Sequence, residues 1–361
     1  MSLISQRTID EIHQKEDVLE IVSSFPDIAL KKNGTSWKGL SPFKEEKTPS
    51  FYVVPHKNIW KDFSTGKGGS GGVSFLMEFE KLSYPDALRW IADKYHIQVE
   101  MEEASEEDLK KVSLSDIMNA AHRKYKETLQ DLPEDHPAKI YVKKRFNEDQ
   151  IIKWELGYAP NSWDFIKNLS IEKAILQEVI SCGLVKKQSE KKVYDFFRDR
   201  IMIPIKNDRG QVVSFSGREY EGGEYQEGSP KYINGPESSI FNKSWILFGM
   251  KDAVRAIQKE GEAIICEGYT DVMALHDQGI LNAVGSMGTA LTAQHIKKLS
   301  RHTQTISLLF DGDSSGQKAC EKSIPMILKE GLRAFVIQIP EGKDPEEFIA
   351  TIVEDSKNQN Q

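Results

Sequence analysis

Residues 307–319, SLLFDGDSSGQKA, run from an apolar stretch onto two aspartates one residue apart, and then into small residues. Residues 307–310 read as a buried strand, and apolar residues recur at helical spacing over 317–328. In an extended segment residues i and i+2 point the same way. Asp311 and Asp313 would then project side by side from a strand's carboxyl end, where open α/β sheets place their ligands. Two carboxylates that close repel unless a proton or a cation lies between them. An isolated Asp-Gly is ordinarily only a turn, so the surrounding sequence has to decide.

Beyond Trp245 the chain alternates helical and apolar strand-like segments, the pattern of a parallel sheet with right-handed crossovers. Residues 263–266 form another apolar strand and end on Glu267, followed by Gly268 and a helix that includes Asp271. A third strand, 334–339, runs into PEGKDPEE, which supplies Asp344 and Glu346. If these strand ends converge, Glu267, Asp311, Asp313 and Asp344 make an oxygen-only cluster suited to the hard cations Mg²⁺ or Mn²⁺. Such an ion keeps open positions for phosphate oxygens.

The chain has 361 residues, 39% hydrophobic and 29% charged, which allows about two or three domains. No apolar run is long enough to span a membrane and no signal-peptide pattern is present, so a cytoplasmic protein is expected. Cys182, Cys266 and Cys320 lie far apart, which argues against a disulfide framework and a thiolate metal site. The net charge of −7 is unevenly spread. Residues 28–75 hold eight lysines against Glu45, Glu46 and Asp62, and residues 139–255 hold 20 basic against 16 acidic side chains. Two basic segments joined by an acidic run suit a polyanion partner, although solvated lysines would give the same counts.

Residues 8–24 are a helix candidate. Residues 29–63 are strand-like and rich in aromatics, with Trp37, Phe43, Phe51, Trp60 and Phe63 serving either as core or as base-stacking platforms. GKGGSGG at 66–72 lacks the order of a phosphate loop and reads as a flexible turn before a helix–turn–helix over 73–100. The periodicity of 114–184 is helical, and 199–220 form a hairpin around Asn207-Asp208-Arg209-Gly210.

EGYTD, GSMGT and DGDSSG resemble the Toprim domain shared by bacterial primases, topoisomerases and some nucleases. FRDRIMIPIKNDRGQVVSFSGRE (197–219), SPKYINGPESSIFNKS (229–244) and LFGMKDA resemble the segment preceding Toprim in DnaG-type replicative primases. EKTPSFYVVP and FLMEFEKLSYPDALRWIADKYHI are similar to that family's zinc-binding domain. The resemblance implies an α+β and α/β chain. Residues 1–100 would be a degenerate zinc-ribbon-like DNA-binding domain and 101–115 an acidic linker. A mixed primase-core subdomain would span 116–255, the Toprim domain with its parallel sheet 256–347, and a tail 348–361. It implies a DNA primase, a nucleotidyltransferase that makes short RNA primers from ribonucleoside triphosphates on single-stranded DNA during replication. Glu267 matches the family's catalytic acid, Asp311 and Asp313 the metal-binding pair, and Asp344 and Glu346 further metal-site positions, Glu346 standing where the family has aspartate. Arg145, Arg218, Lys231 and Lys243 match basic positions for template and nucleotide phosphates.

The match fails in three places. Ser41, Lys44, Asp62 and Thr65 stand at the family's Cys-x2-His and Cys-x2-Cys zinc positions. Of these only Asp62 is an ordinary zinc donor, and Lys44 brings a positive charge, so zinc is not expected. A ribbon this small normally relies on its metal, and the aromatic cluster and flanking helices are expected to replace it. The sequence stops 15 residues after Glu346, short of the family's helical subdomain and of the segment through which a replicative helicase would be met. Phe146 follows Arg145 where the family's pattern has glycine. A non-catalytic single-strand-binding or regulatory derivative is the alternative to an active primase, and a Toprim nuclease the third reading.

Overall fold

The structure is a computed structural model that describes residues 2–103, 106–172, 175–189, 192–225, 228–340 and 342–351. The chain divides into two compact units, Met1–Pro204 with Val212–Pro236, and Ile205–Gln211 with Glu237–Gln361.

The first unit begins with an antiparallel sheet of β1 (Lys31–Asn33), β2 (Ser36–Gly39), β3 (Phe51–Val54), β4 (Ile59–Asp62) and β5 (Gly68–Ser70), paired in chain order. Helices Gln6–Lys15, Val18–Val22, Gly71–Phe79 and Tyr84–Lys94 pack their apolar faces on it, burying Ile12, Ile21, Phe51, Trp60, Phe75 and Ile91 in one core. The aromatic cluster is therefore mostly core: Phe43 stacks on Trp60 with ring centroids 5.5 Å apart, and Phe51 lies 6.1 Å from Trp60. Phe63 is the exception and is half exposed.

The glycine run 66–72 is not a flexible turn. It supplies β5 and enters the next helix at Gly71. A Cβ on Gly72 would sit 2.0 Å from the Ile21 side chain, so the missing side chains let this segment pack tightly. Nor is 101–115 an extended linker. Met101–Glu103 pairs with Ser2–Ile4, and a helix runs over Glu106–Asp131.

A second antiparallel sheet of the same unit has the order β9-β8-β7-β6, with β6 Gly157–Ala159, β7 Arg200–Lys206, β8 Val212–Arg218 and β9 Tyr232–Asn234. The expected hairpin is β7–β8. The Asn207 N–H donates to the Gln211 carbonyl at 3.0 Å, and the Asn207 side chain accepts from the N–H groups of Arg209 and Gln211. Strands Val185–Ser189 and Lys192–Asp195 form a further hairpin just beyond the helical stretch.

The second unit holds a four-stranded sheet in the order β11-β10-β12-β13, with β10 Ala263–Cys266, β11 Ala283–Gly285, β12 Thr305–Leu308 and β13 Arg333–Val336. Every pairing in it is parallel, as the alternation of segments requires. Ala263, Ile265, Val284, Ile306 and Leu308 form the sheet's share of the core, covered by Met250, Ile257, Ile296 and Ile327 from the helices. The strands are shorter than the apolar runs suggest. β12 ends at Leu308, not Phe310, and β13 at Val336, not Ile339.

Candidate active site

Two adjacent parallel strands carry the first acids. Ile265 pairs with Leu308, and the Leu309 N–H donates to the Ile265 carbonyl at 2.9 Å, so Glu267 and Asp311 leave neighbouring strand ends. The Asp311 backbone N–H faces the Glu267 carboxylate and favours its charged form. The Glu267 carbonyl accepts from the Gly288 N–H at 2.9 Å, which ties the GSMGT loop to the same strand end. Asp313 does not extend the strand beside Asp311. It is the N-cap of the helix Ser314–Lys329, its Oδ1 accepting from the N–H groups of Ser315 and Gly316 at 2.9 and 2.8 Å. The turn between them needs glycine twice. A Cβ on Gly312 would lie 2.5 Å from the Pro340 carbonyl oxygen, and one on Gly316 2.2 Å from that of Asp311. The Gly312 N–H also donates to the Lys343 carbonyl at 3.0 Å, bringing the segment of Asp344 alongside.

The acids act on one another. Burial, then the charge of Asp311, raises the Glu267 pKa, and Asp313 adds to it. Burial, then Asp344 and Asp313, raises that of Asp311. Burial and the charges of Asp311, Asp344 and Glu346 push Asp271 up to about 7, against the Gly268 N–H that its carboxylate accepts at 2.9 Å. The charges of Asp311, Asp313, Asp344 and Glu346 thus bear on Glu267, Asp311 or Asp271, and Asp271 joins the acids expected at the site. Its sequence signal was its place in EGYTD, one helical turn beyond Glu267.

The donors suit a hard divalent cation. All are carboxylate oxygens, and Glu267 Oε1 is buried without a hydrogen-bond partner. An orphaned, buried carboxylate oxygen amid like charges is costly unless a cation or proton answers it. Among the described residues, no three His, Cys, Asp or Glu side chains close into a ready-made chelate. Mg²⁺ does not require one, because it binds through one or two carboxylates and keeps waters and phosphate oxygens for the rest.

The basic positions divide between the units. In the first, Arg218 pairs across β8–β9 with Tyr232, and the Glu219 N–H donates to the Lys231 carbonyl, so Arg218 and Lys231 are near neighbours. Arg218 is only 5% exposed. Its guanidinium donates to the hydroxyls of Tyr141, at 2.8 Å, and Tyr232. Tyr141 lies one turn before Arg145 on the helix Pro137–Arg145, which brings Arg145 to the same corner. Phe146 is buried, with the Arg145 guanidinium 5.6 Å from its ring centre. In the second unit the Lys243 carbonyl accepts from His295 Nε2 at 2.9 Å, and its N–H donates to Glu237 at 2.8 Å.

The ribbon's four zinc-ligand positions also come together, around a carboxylate. Asp62 is fully buried. It accepts from Ser41 Oγ at 2.9 Å, Ser50 Oγ at 3.0 Å, Ser64 Oγ at 3.0 Å and the Thr65 hydroxyl. Burial alone would raise its pKa. The Thr65, Ser41, Ser64 and Ser50 hydroxyls outweigh that and hold it below the usual aspartate value. Lys44 points its Nζ at the Ser64 carbonyl, 3.1 Å away. Ser50 and Ser64 are outside the family's four positions and went unnoticed in the sequence.

Comparison with known proteins follows the same order along the chain. A family model described as CHC2 zinc finger matches residues 4–107, one described as DNA primase catalytic core, N-terminal domain matches 124–254, and one described as Toprim-like matches 264–349. The DNA primase of Listeria monocytogenes is 36% identical over 360 residues, covering 97% of this chain and 56% of the relative. That of Aquifex aeolicus is 36% identical over 342 residues, covering 94% and 66%. The chain thus spans a little over half the length of the first of these relatives. Among solved structures, the zinc-binding and RNA polymerase domains of Aquifex aeolicus primase superpose with a TM-score of 0.67 at 34% identity, covering 98% of this chain and 84% of that one. A DnaG primase catalytic domain bound to ssDNA gives 0.60 at 30% identity, covering 69% and 78%. Three domain matches in the family's order, with the acids of the Toprim sheet gathered at its strand ends, show that this chain belongs to the DnaG family of DNA primases.

Proposed function

We propose that this chain makes short RNA primers on single-stranded DNA, joining ribonucleoside triphosphates in a divalent-metal-dependent reaction in the cytoplasm. The observation that carries the proposal is the buried, unpartnered Glu267 Oε1 in the field of the Asp311 and Asp313 carboxylates. Glu267, Asp311 and Asp313 would hold Mg²⁺ or Mn²⁺, with Asp344 and Glu346 at the margin. A bound ion supplies neutralisation of the charge that builds on the α-phosphate as the 3′-hydroxyl attacks. Burial, then the charge of Asp311, raises the Glu267 pKa, which favours its taking up a proton. Asp313 is held in place by its cap. Arg145, Arg218, Lys231 and Lys243 would bind template and nucleotide phosphates, with the two tyrosines holding Arg218 in one orientation. The same reading makes the ribbon a metal-free version of the family's zinc domain, closed by Asp62 and its hydroxyls.

The test is direct. The protein, a single-stranded template, ribonucleotides and Mn²⁺ or Mg²⁺ should yield short RNA, and a strong chelator should abolish it. Template degradation, or no RNA with either ion, refutes the proposal.

A thermal experiment checks the metal separately. Acids with raised folded-state pKa values cost no stability below the unfolded pKa, and the cost grows as pH rises from there through the folded value. Without metal, the second unit should lose stability between roughly pH 4 and 7 from this cluster. Millimolar Mg²⁺ or Mn²⁺ should therefore raise the melting temperature more at pH 7.5 than at pH 5.5. Equal shifts at both pH values would place the ion elsewhere.

A further inference from the structure

Lys243 sits in the turn 242–245, whose backbone is held from 52 residues further along the chain. His295 Nε2 donates to the Lys243 carbonyl at 2.9 Å, and Thr292 Oγ1 donates to the Ser244 carbonyl at 2.7 Å. The Thr292 N–H donates to His295 Nδ1 at 3.4 Å, which leaves Nε2 to carry the ring's hydrogen. His295 is fully buried, and burial lowers its pKa, so the ring stays neutral near pH 7 and keeps both bonds. The Lys243 ammonium, by contrast, makes no ion pair among the described residues. The same stretch reaches the acids. Phe248 and Gly285 exchange backbone bonds of 2.9 and 3.0 Å, the Ser286 N–H donates to the Cys266 carbonyl at 3.0 Å, and the Gly288 N–H donates to that of Glu267. Residues 285–295 thus hold the Lys243 turn at one end and the Glu267 strand end at the other.

A lysine ammonium rides on a long flexible stem, so the anchoring of its backbone sets where it can reach. A free turn has to be ordered when a phosphate arrives, and that ordering is subtracted from binding. A turn already bonded on both sides loses little more. We propose that His295, with Thr292, is a positioning residue for Lys243. The clasp holds the Lys243 ammonium where it meets a phosphate of the ribonucleoside triphosphate whose metal ion the acids bind. This rests on the primase reading for the role of Lys243, but nucleotide binding tests it without synthesis.

Titration of the full chain with a fluorescent ribonucleoside triphosphate and Mg²⁺ gives the affinity, and initial rates of primer synthesis give KM and kcat. Lys243→Ala should weaken binding at least about tenfold, the loss of a charge-assisted bond. His295→Leu should weaken it about five- to tenfold, because the Lys243 carbonyl loses its buried donor. KM should rise by the same factor, with kcat within about threefold of the parent. Glutamine offers a donor and an acceptor at similar reach, so His295→Gln should lie within about twofold of the parent. The deciding measurement combines the changes: in the Lys243→Ala background, His295→Leu should cost less than about a further twofold. A histidine that only stabilised the fold would cost the same in both backgrounds. That result overturns the proposal, and so does parental affinity in His295→Leu. Melting curves establish that the variants fold, and Thr292→Val, which removes the bond to Ser244, carries the same comparison if His295→Leu does not fold. If the parent makes RNA and the two losses simply add, the clasp alone is wrong. If the parent makes no RNA yet the losses do not add, the clasp stands and the primase reading falls.

Discussion

Glu267→Gln should reduce ribonucleotide incorporation by about 10²–10⁴-fold while leaving oligonucleotide affinity nearly unchanged. Glutamine keeps the shape of the side chain, and the strand end is held by backbone bonds the substitution leaves alone, Leu309 N–H to the Ile265 carbonyl and Gly288 N–H to the Glu267 carbonyl. What it removes is the negative charge and the ability to carry a proton, at the point where Oε1 is buried without a partner. Asp311→Asn should act similarly, because its charge is the first to bear on Glu267 after burial. Both variants should melt at or above the parent's temperature in metal-free buffer, since each relieves repulsion among acids. Primer synthesis at near-parental rates by either variant would remove the Toprim acids from the chemistry and leave a nucleic-acid-binding protein.

The second large effect is on folding. Asp62→Ala should destabilise the ribbon by about 3–5 kcal/mol, because the Ser41, Ser64 and Thr65 hydroxyls lose their charged acceptor and Ser50 keeps only Glu46. Asp62→Asn should be milder, as it keeps one acceptor oxygen. The carboxylate's pKa is depressed, so its contribution is fully present above the ordinary aspartate pKa and lost as pH falls through the folded value. Proteolysis that cuts 1–100 first in Asp62→Ala, with the Toprim unit intact, would show the effect is local. Stoichiometric zinc in the purified parent, or a ribbon that opens in chelator, would show instead that a metal holds it.

Much of this was legible because periodicity and strand-end chemistry are local. Apolar runs alternating with helices dictate parallel pairing, and an acid directly after 263–266 and 307–310 marks where those two runs end. Asp311 and Asp313 looked alike in sequence, yet only the three-dimensional path of the turn shows that Asp313 caps a helix and that Gly312 and Gly316 have backbone oxygens where a side chain would be. Arg218 matched a phosphate-binding position by resemblance, whereas its burial between two tyrosines depends on the distant Tyr141. The Asp62 centre was half visible. Its four family positions were plain from their spacing, but Ser50 and Ser64 have no motif to mark them. The acidic run at 101–115 misled because charge alone does not distinguish a solvated linker from a helix start.

The hydroxyl ring around Asp62 has a consequence for chemical damage. Serine and threonine are inert to peroxide and to alkylating reagents, and the first thiol in the chain is Cys182. A thiolate zinc centre is opened by such oxidants as its ligands are converted to disulfides or acids. In this ribbon those reagents have no thiol to attack, so a ribbon closed by hydroxyls alone would lose no ligand to them.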